Sequence, residues 1–309
     1  MGMITAQGLV MDSLGAVSDR ASVMAGADGD IGHDDALWMR ANYSQVDAGR
    51  GQFSADQRQF SLRAGKDLRR DSDSRTGVMA VVATGVAEIS VHVRPTIGGF
   101  ATPLSAEVGE VRTTLVGVGG YHTWFFGPGG YFDVSGQVGR LWLSNSAIES
   151  TVSDASGWSA IASAEVGREF MLGGAGWSLT PQAQLVASHV RLGDINDGTV
   201  RVDGNNMTAY RARIGARLAK AATQGPRFYA LANVWRNLSD DAGTVLHGGP
   251  DTIVVAPQFA RTWLEAGVGV AVPTSKAGSF AIDLRGQRAM GDDDDRTALG
   301  LQATWKLSW

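Results

Sequence analysis

From Ala36 to the last residue, apolar side chains recur at nearly every second position, and no other property of this 309-residue chain restricts its fold as strongly. The closing segment shows the rule without interruption: Leu299, Leu301, Ala303, Trp305, Leu307 and Trp309 alternate with Gly300, Gln302, Thr304, Lys306 and Ser308. Successive side chains of an extended strand leave on opposite faces, so such a segment carries one apolar and one polar face. The same period runs through 36–46, 60–65, 111–124, 131–142, 158–170, 177–189, 207–218, 228–237, 262–272 and 279–287, while 77–85 is apolar on both faces. About twelve strands follow from this pattern.

The polar face decides what surrounds these strands. Arg40, Glu165, Arg211, Arg213, Arg217, Glu265, Asp283 and Arg285 fall opposite apolar runs such as Tyr210, Ala212, Ile214, Ala216 and Leu218. Enclosed in a dry sandwich, each unpaired charge would cost several kcal/mol, whereas facing water they are ordinary. A dozen long strands in an open sheet would also leave edges to protect, and closure removes them. These patterns predict an all-β membrane protein, an antiparallel transmembrane β-barrel of about twelve strands with lipid outside and a polar lumen.

Composition agrees. Hydrophobic residues make up 44% and mean hydropathy is −0.06. No stretch approaches the roughly 18 to 20 continuous apolar residues of a spanning helix. The 41 glycines have no period of three, which excludes collagen. A net charge of −4 without a basic run excludes a nucleic-acid partner. Zero Cys excludes disulfides and thiolate metal sites. The start, Met1-Gly2-Met3, has no basic region or apolar core of a signal peptide, so an exported protein beginning here is expected to be a piece of a longer one.

The connections alternate in length. Long ones are expected at 47–56, 88–110, 144–156, 191–206 and 239–261, short ones at 70–75, 127–130 and 173–176, and a moderate one at 219–226, with 273–278 and 290–296 following the longest. Outer-membrane barrels have short periplasmic turns and longer outside loops, which sends the last strand down to the periplasm and starts the first strand there. Residues 4–25 are the one good helix candidate, with Val10, Leu14, Val17, Ala21 and Met24 striping one face and glycines 26, 29 and 32 ending it. A helix leaving the barrel floor is placed most economically up through the lumen.

The sequence then resembles a known family, the C-terminal translocator (β) domain of monomeric autotransporters, the type V secretion proteins. The resemblance is carried by Leu14-Gly15 and Asp19-Arg20 ahead of the barrel, Leu37-Trp38-Met39-Arg40, Gly130-Tyr131-Phe132-Asp133, Gly157-Trp158-Ser159, and Ala164-Glu165-Val166-Gly167-Arg168. It continues in Thr180-Pro181-Gln182, Arg213-Ile214-Gly215-Ala216-Arg217-Leu218, Trp263-Leu264-Glu265-Ala266-Gly267 and the aromatic C-terminus. It implies a monomeric twelve-stranded barrel in outer-membrane lipid, residues 34–309, plugged by a linker helix within 1–33 bearing Val10, Leu14, Asp19 and Arg20. It further implies export of an N-terminal passenger, periplasmic chaperones, and a barrel-assembly machinery that reads Trp305, Leu307 and Trp309. No cofactor or catalytic residue is expected.

Other motifs reduce to simpler readings. Met11-Asp12-Ser13-Leu14 lacks the glycine of the GDSL esterase block, and Asp30 to His33 follow too closely to be its distant partner. Asn205-Asn206 resembles the pair at which some autotransporters cut themselves, but it enters a strand and reads as a turn. No Asn precedes Asn42, so self-cleavage by Asn cyclisation is not expected within 1–35, and if the protein is processed in its pore the junction is expected near or upstream of Met3. Residues 193–198 and 292–295 lack EF-hand spacing and read as solvated loops. Glu165, Glu265, Arg211 and Arg213 are expected to line the pore and to hold the helix through Asp12, Asp19 or Arg20; Trp142, Trp158, Trp177, Trp305 and Trp309 are interfacial-girdle candidates. The alternative reading, a porin-like channel or outer-membrane esterase barrel, predicts an open lumen or an aligned Ser/His/Asp set at its mouth.

Overall fold

Twelve antiparallel strands close on themselves in the computed structural model. It describes residues 2–14, 36–50, 53–93, 96–97, 100–101, 104–147, 150–173, 176–193, 195–196, 201–202, 206–220, 225–239, 244–248, 251–255, 260–275, 278–291 and 295–308. The barrel strands are β1 (Ala36–Arg50), β2 (Phe53–Arg70), β3 (Ser74–Val93), β4 (Leu104–Phe126), β5 (Gly130–Ala147) and β6 (Ser150–Arg168). They continue as β7 (Trp177–Leu192), β8 (Asn206–Lys220), β9 (Arg227–Asn237), β10 (Thr262–Ser275), β11 (Gly278–Ala289) and β12 (Asp295–Ser308). Each pairs with the next, and β12 returns to β1 with Leu37 opposite Leu307 and Met39 opposite Trp305. No barrel edge is left as a template for aggregation.

The period of two becomes an inside and an outside. On β8, Tyr210, Ala212, Ile214, Ala216 and Leu218 face outward, with Ile214 71% exposed, while Arg213 and Arg217 are buried on the inward face. On β5, Phe132 and Trp142 are exposed at opposite ends of the outward face. Their ten-residue separation is about 33 Å along the strand and, at a tilt near 40°, about 25 Å of height, the thickness of an outer-membrane apolar band. Trp124, Phe132 and Trp177 mark one border; Trp142 and Trp158 mark the other. Trp305 and Leu307 lie on the outward face of β12, and Trp309 falls outside the described residues.

Short turns gather at one end, where Gly127 and Gly129 supply positive φ (52° and 73°) to the β4–β5 turn. Glu169 interrupts the end of β6, and Phe170–Leu172 forms a separate short strand on Trp177–Leu179. At the other end three connections expected to be long are largely strand. The ladders run on to Arg50 opposite Phe53, Val93 opposite Leu104, and Ala147 opposite Ser150. Beyond the lipid both faces meet water, so alternation fades while backbone pairing continues. Thr96–Ile97 and Phe100–Ala101 form a small hairpin there, and the β7–β8 and β9–β10 connections pair with each other. Ile195–Asn196, Arg201–Val202, Thr244–Gly248 and Asp251–Val255 make that four-stranded sheet.

Candidate functional site

The helix α1 (Gly2–Leu14) lies inside the barrel, touching β2 through β8. Of the expected helix 4–25 the structure describes 4–14, all helical, and residues 15–35, with Asp19 and Arg20, lie outside the described residues. Burial extends beyond the expected apolar stripe to polar positions, while Gly8 and Asp12, one turn apart, are only half-buried. Ala6, Leu9, Val10 and Leu14 are buried, and so are Thr5, Gln7 and Ser13. At 1.5 Å per residue the helix is about 20 Å long, which fills much of the lumen's height.

Its direction is fixed by one strand. Gln57 Nε2 on β2 donates to the carbonyl of Thr5 (3.4 Å), and Arg63, farther toward the short-turn end of β2, donates to the carbonyl of Leu14. The N-terminus of α1 therefore points to the end bearing the long connections and its C-terminus to the end where β1 begins. Arg63 thus places a cation against the last described turn of α1. Gln7 bonds Ser188 on β7, and Gln137 Nε2 on β5 donates to Ser13 Oγ at 3.2 Å. Ser13 itself donates to the carbonyl of Val10 at 2.7 Å, so its hydroxyl does not compete with the wall for partners.

The lumen has two different walls, a departure from the uniformly polar interior expected. Met79, Ala83 and Ile89 on β3, Leu115 on β4, Leu141 on β5 and Val190 on β7 belong to one apolar cluster with Leu9, Val10 and Leu14 of the helix. This explains why 77–85 is apolar on both faces: one meets lipid, the other meets α1. The opposite wall, from β8 round to β1, is charged. A cavity of about 130 Å³ separates it from the helix, lined among others by Met11, Asp12, Arg40, Arg211, Glu265 and Arg296.

The structure places Arg40, Glu165, Arg211, Arg213, Glu265, Asp283 and Arg285 on inward faces, five of them in three hydrogen-bonded groups. Glu165 accepts from Arg213 (2.9 Å) and from the Tyr131 hydroxyl (2.7 Å). Asp283 accepts from Arg285 (2.6 Å), Tyr229 (3.1 Å) and Gln302 (3.1 Å), and Glu265 accepts from Asn233 (2.6 Å) and Gln287 (2.7 Å). Arg211 reaches the helix, 3.6 Å from Asp12. Arg40 lies 3.4 Å from Thr304 across the β1–β12 seam.

Sequence reasoning missed the aromatic half of this wall. Arg211 and Arg296 stand over the Trp263 ring at 5.5 and 4.9 Å, Arg213 over Trp235 at 5.4 Å, and Arg217 over Tyr229 at 3.9 Å. It also missed the seats of three tyrosines. Tyr121, Tyr131 and Tyr229 lie flat against Gly77, Gly167 and Gly269, where a Cβ would collide with the ring, and their hydroxyls bond Asp67, Glu165 and Asp283. Held so, the rings line the bore instead of crossing it.

This is a geometry for holding a helix. Among the described residues no three His, Cys, Asp or Glu side chains converge as a metal site. Ser54 Oγ and His92 Nε2 lie 2.7 Å apart near the mouth, but both residues are outside the lumen and no carboxylate bonds that imidazole among the described residues. Asn206 opens β8 outside the helix, and the 193–198 and 292–295 segments fall partly outside the described residues.

The family model for the autotransporter beta-domain matches residues 37–285. Among solved structures, the chain resembles the translocator domain of the autotransporter NalP from Neisseria meningitidis, with TM-score 0.62, 14% identity, and 94% of each chain covered. The beta domain of the Bordetella autotransporter BrkA gives TM-score 0.62 at 19% identity, covering 89% of this chain and 99% of that one. The transport unit of AIDA-I from Escherichia coli gives TM-score 0.62 at 16% identity, covering 95% and 98%. No curated relative matches the chain.

Proposed function

The chain belongs to the autotransporter beta-domain family, as an integral outer-membrane translocator domain, and from that premise we propose that it exports a passenger joined upstream of α1. One observation carries the reading: α1 stands in the lumen with its N-terminus toward the long-connection end. A chain joined to that N-terminus emerges outside the cell, and the helix is the last part of the exported chain to remain in the bore.

The bore suits this work. It supplies an apolar wall for the helix and a charged wall beside a cavity. The partners that fit are the passenger, outer-membrane lipid, the barrel-assembly machinery and periplasmic chaperones, with the barrel acting as a monomer. An epitope reporter fused ahead of Gly2 in a cell carrying this barrel tests the proposal. External protease is expected to remove the reporter from intact cells while the barrel survives. A reporter protected until the outer membrane is broken contradicts it.

A further inference from the structure

Arginines gather where the lipid-facing band meets the long-connection end. Arg58 on β2, Arg112 on β4, Arg140 on β5, Arg191 on β7, Arg236 on β9 and Arg288 on β11 all lie on outward faces and are exposed there, save that their neighbours differ. Arg58 is within 3.6 Å of Asp56, and Arg112 pairs with Glu110. Arg140 and Arg191 form no ion pair among the described residues.

These two share one row of the barrel surface. Arg140 is directly opposite Trp158 on β6, and Trp158 is directly opposite Arg191, so one exposed indole lies between two exposed guanidiniums. Two inter-strand spacings put the arginine backbones about 10 Å apart, leaving room for an anion held between the side chains. Arg140 Nη2 donates to Ser156 Oγ at 2.7 Å, which holds the guanidinium beside Trp158. His189 packs on the other side of the indole, 5.1 Å between ring centroids, with its Nδ1 at 2.8 Å from Thr208 Oγ1.

Depth separates this row from an ordinary wet rim. Arg140 precedes Trp142 by one outward step, with Val116 and Val138 as its lipid-side neighbours. That step lowers it about 5 Å toward the bilayer midplane relative to the Trp142 border. An unpaired cation at the headgroup boundary is stabilised by an anion at the same depth, and the planar guanidinium matches phosphate oxygens two at a time. We infer that Arg140, Trp158 and Arg191 form a binding site for the phosphate-bearing headgroup of an outer-leaflet lipid, with the indole packed against the first carbons below that headgroup. The site rests on the barrel's position in the bilayer and not on export.

Native mass spectrometry of the full-length, delipidated protein tests it, with phosphatidic acid, phosphatidylcholine and inorganic phosphate as probes. Wild type is expected to retain phosphatidic acid at concentrations at least tenfold lower than phosphatidylcholine. The Arg140→Gln/Arg191→Gln variant is expected to lose that preference, and Arg168→Gln/Lys220→Gln, at the short-turn border, to keep it. Heat-modifiable migration checks that each barrel is folded, and Arg191→Gln alone, expected to weaken retention severalfold, serves if the double variant does not assemble. Undiminished retention by the folded Arg140→Gln/Arg191→Gln variant overturns the inference. So does equal retention of phosphatidylcholine by wild type, or full displacement by equimolar inorganic phosphate, which would make this a free-anion site.

Discussion

Leu9 and Ile214 are both aliphatic, yet they meet different solvents: Leu9 is 1% exposed between helix and wall, and Ile214 is 71% exposed on the lipid face. Truncating Leu9 opens a void in a packed interface and is expected to cost about 2 to 5 kcal/mol of helix docking. Leu9→Ala is therefore expected to raise the protease sensitivity of residues 2–14 in the folded barrel, while Ile214→Ala leaves it unchanged. Glu165 poses the opposite problem, since Arg213 and Tyr131 both depend on it. Removing one partner of a buried ion pair costs about 3 to 5 kcal/mol. Glu165→Gln is expected to lower the temperature at which heat-modifiable migration is lost, and Glu165→Gln/Arg213→Gln to lower it less, because no uncompensated charge remains. That Arg213 faces inward is legible from Ala212 and Ile214 beside it. That it meets Glu165 is not, because β7 separates their strands and the contact depends on two registers at once.

Strands were legible wherever one face meets lipid and the other meets charge, as on β8, β11 and β12. They were not legible above the lipid border, where Glu88 pairs with Glu110 in a continuing ladder and the side chains carry no alternation. The helix was legible in its place but not in its burial, because a stripe of Val10 and Leu14 predicts one covered face whereas Thr5, Gln7 and Ser13 are covered as well. Nor did any local pattern reveal that tyrosines on β4, β5 and β9 lie over glycines on neighbouring strands. β12 bears the prediction at this scale. Its outward residues Trp305 and Leu307 pack at the seam with β1, and the chain ends on Trp309 just beyond the described strand. A charge placed there opposes insertion of the strand end into the lipid border, so Trp309→Asp is expected to reduce the yield of heat-modifiable barrel in cell membranes severalfold. A normal yield would remove the terminal residue from the assembly signal.

At the scale of the molecule, lipid outside, a two-sided lumen within and a helix down one side form a closed system. The apolar wall from β3 to β7 holds α1, and the charged wall from β8 to β1 keeps a cavity of about 130 Å³ beside it. This division gives the barrel a seat for the helix on one side and, on the other, hydrogen-bonding groups that an apolar sleeve would lack. The most direct measurement is single-channel conductance in planar bilayers for the intact chain and for a chain lacking residues 1–33, each first shown to migrate as a folded barrel. The structure predicts small, infrequent openings for the intact chain and a sharp, stable rise in conductance without the helix. Equal conductance from the two proteins would contradict a helix-filled lumen, and with it the account of export built on it.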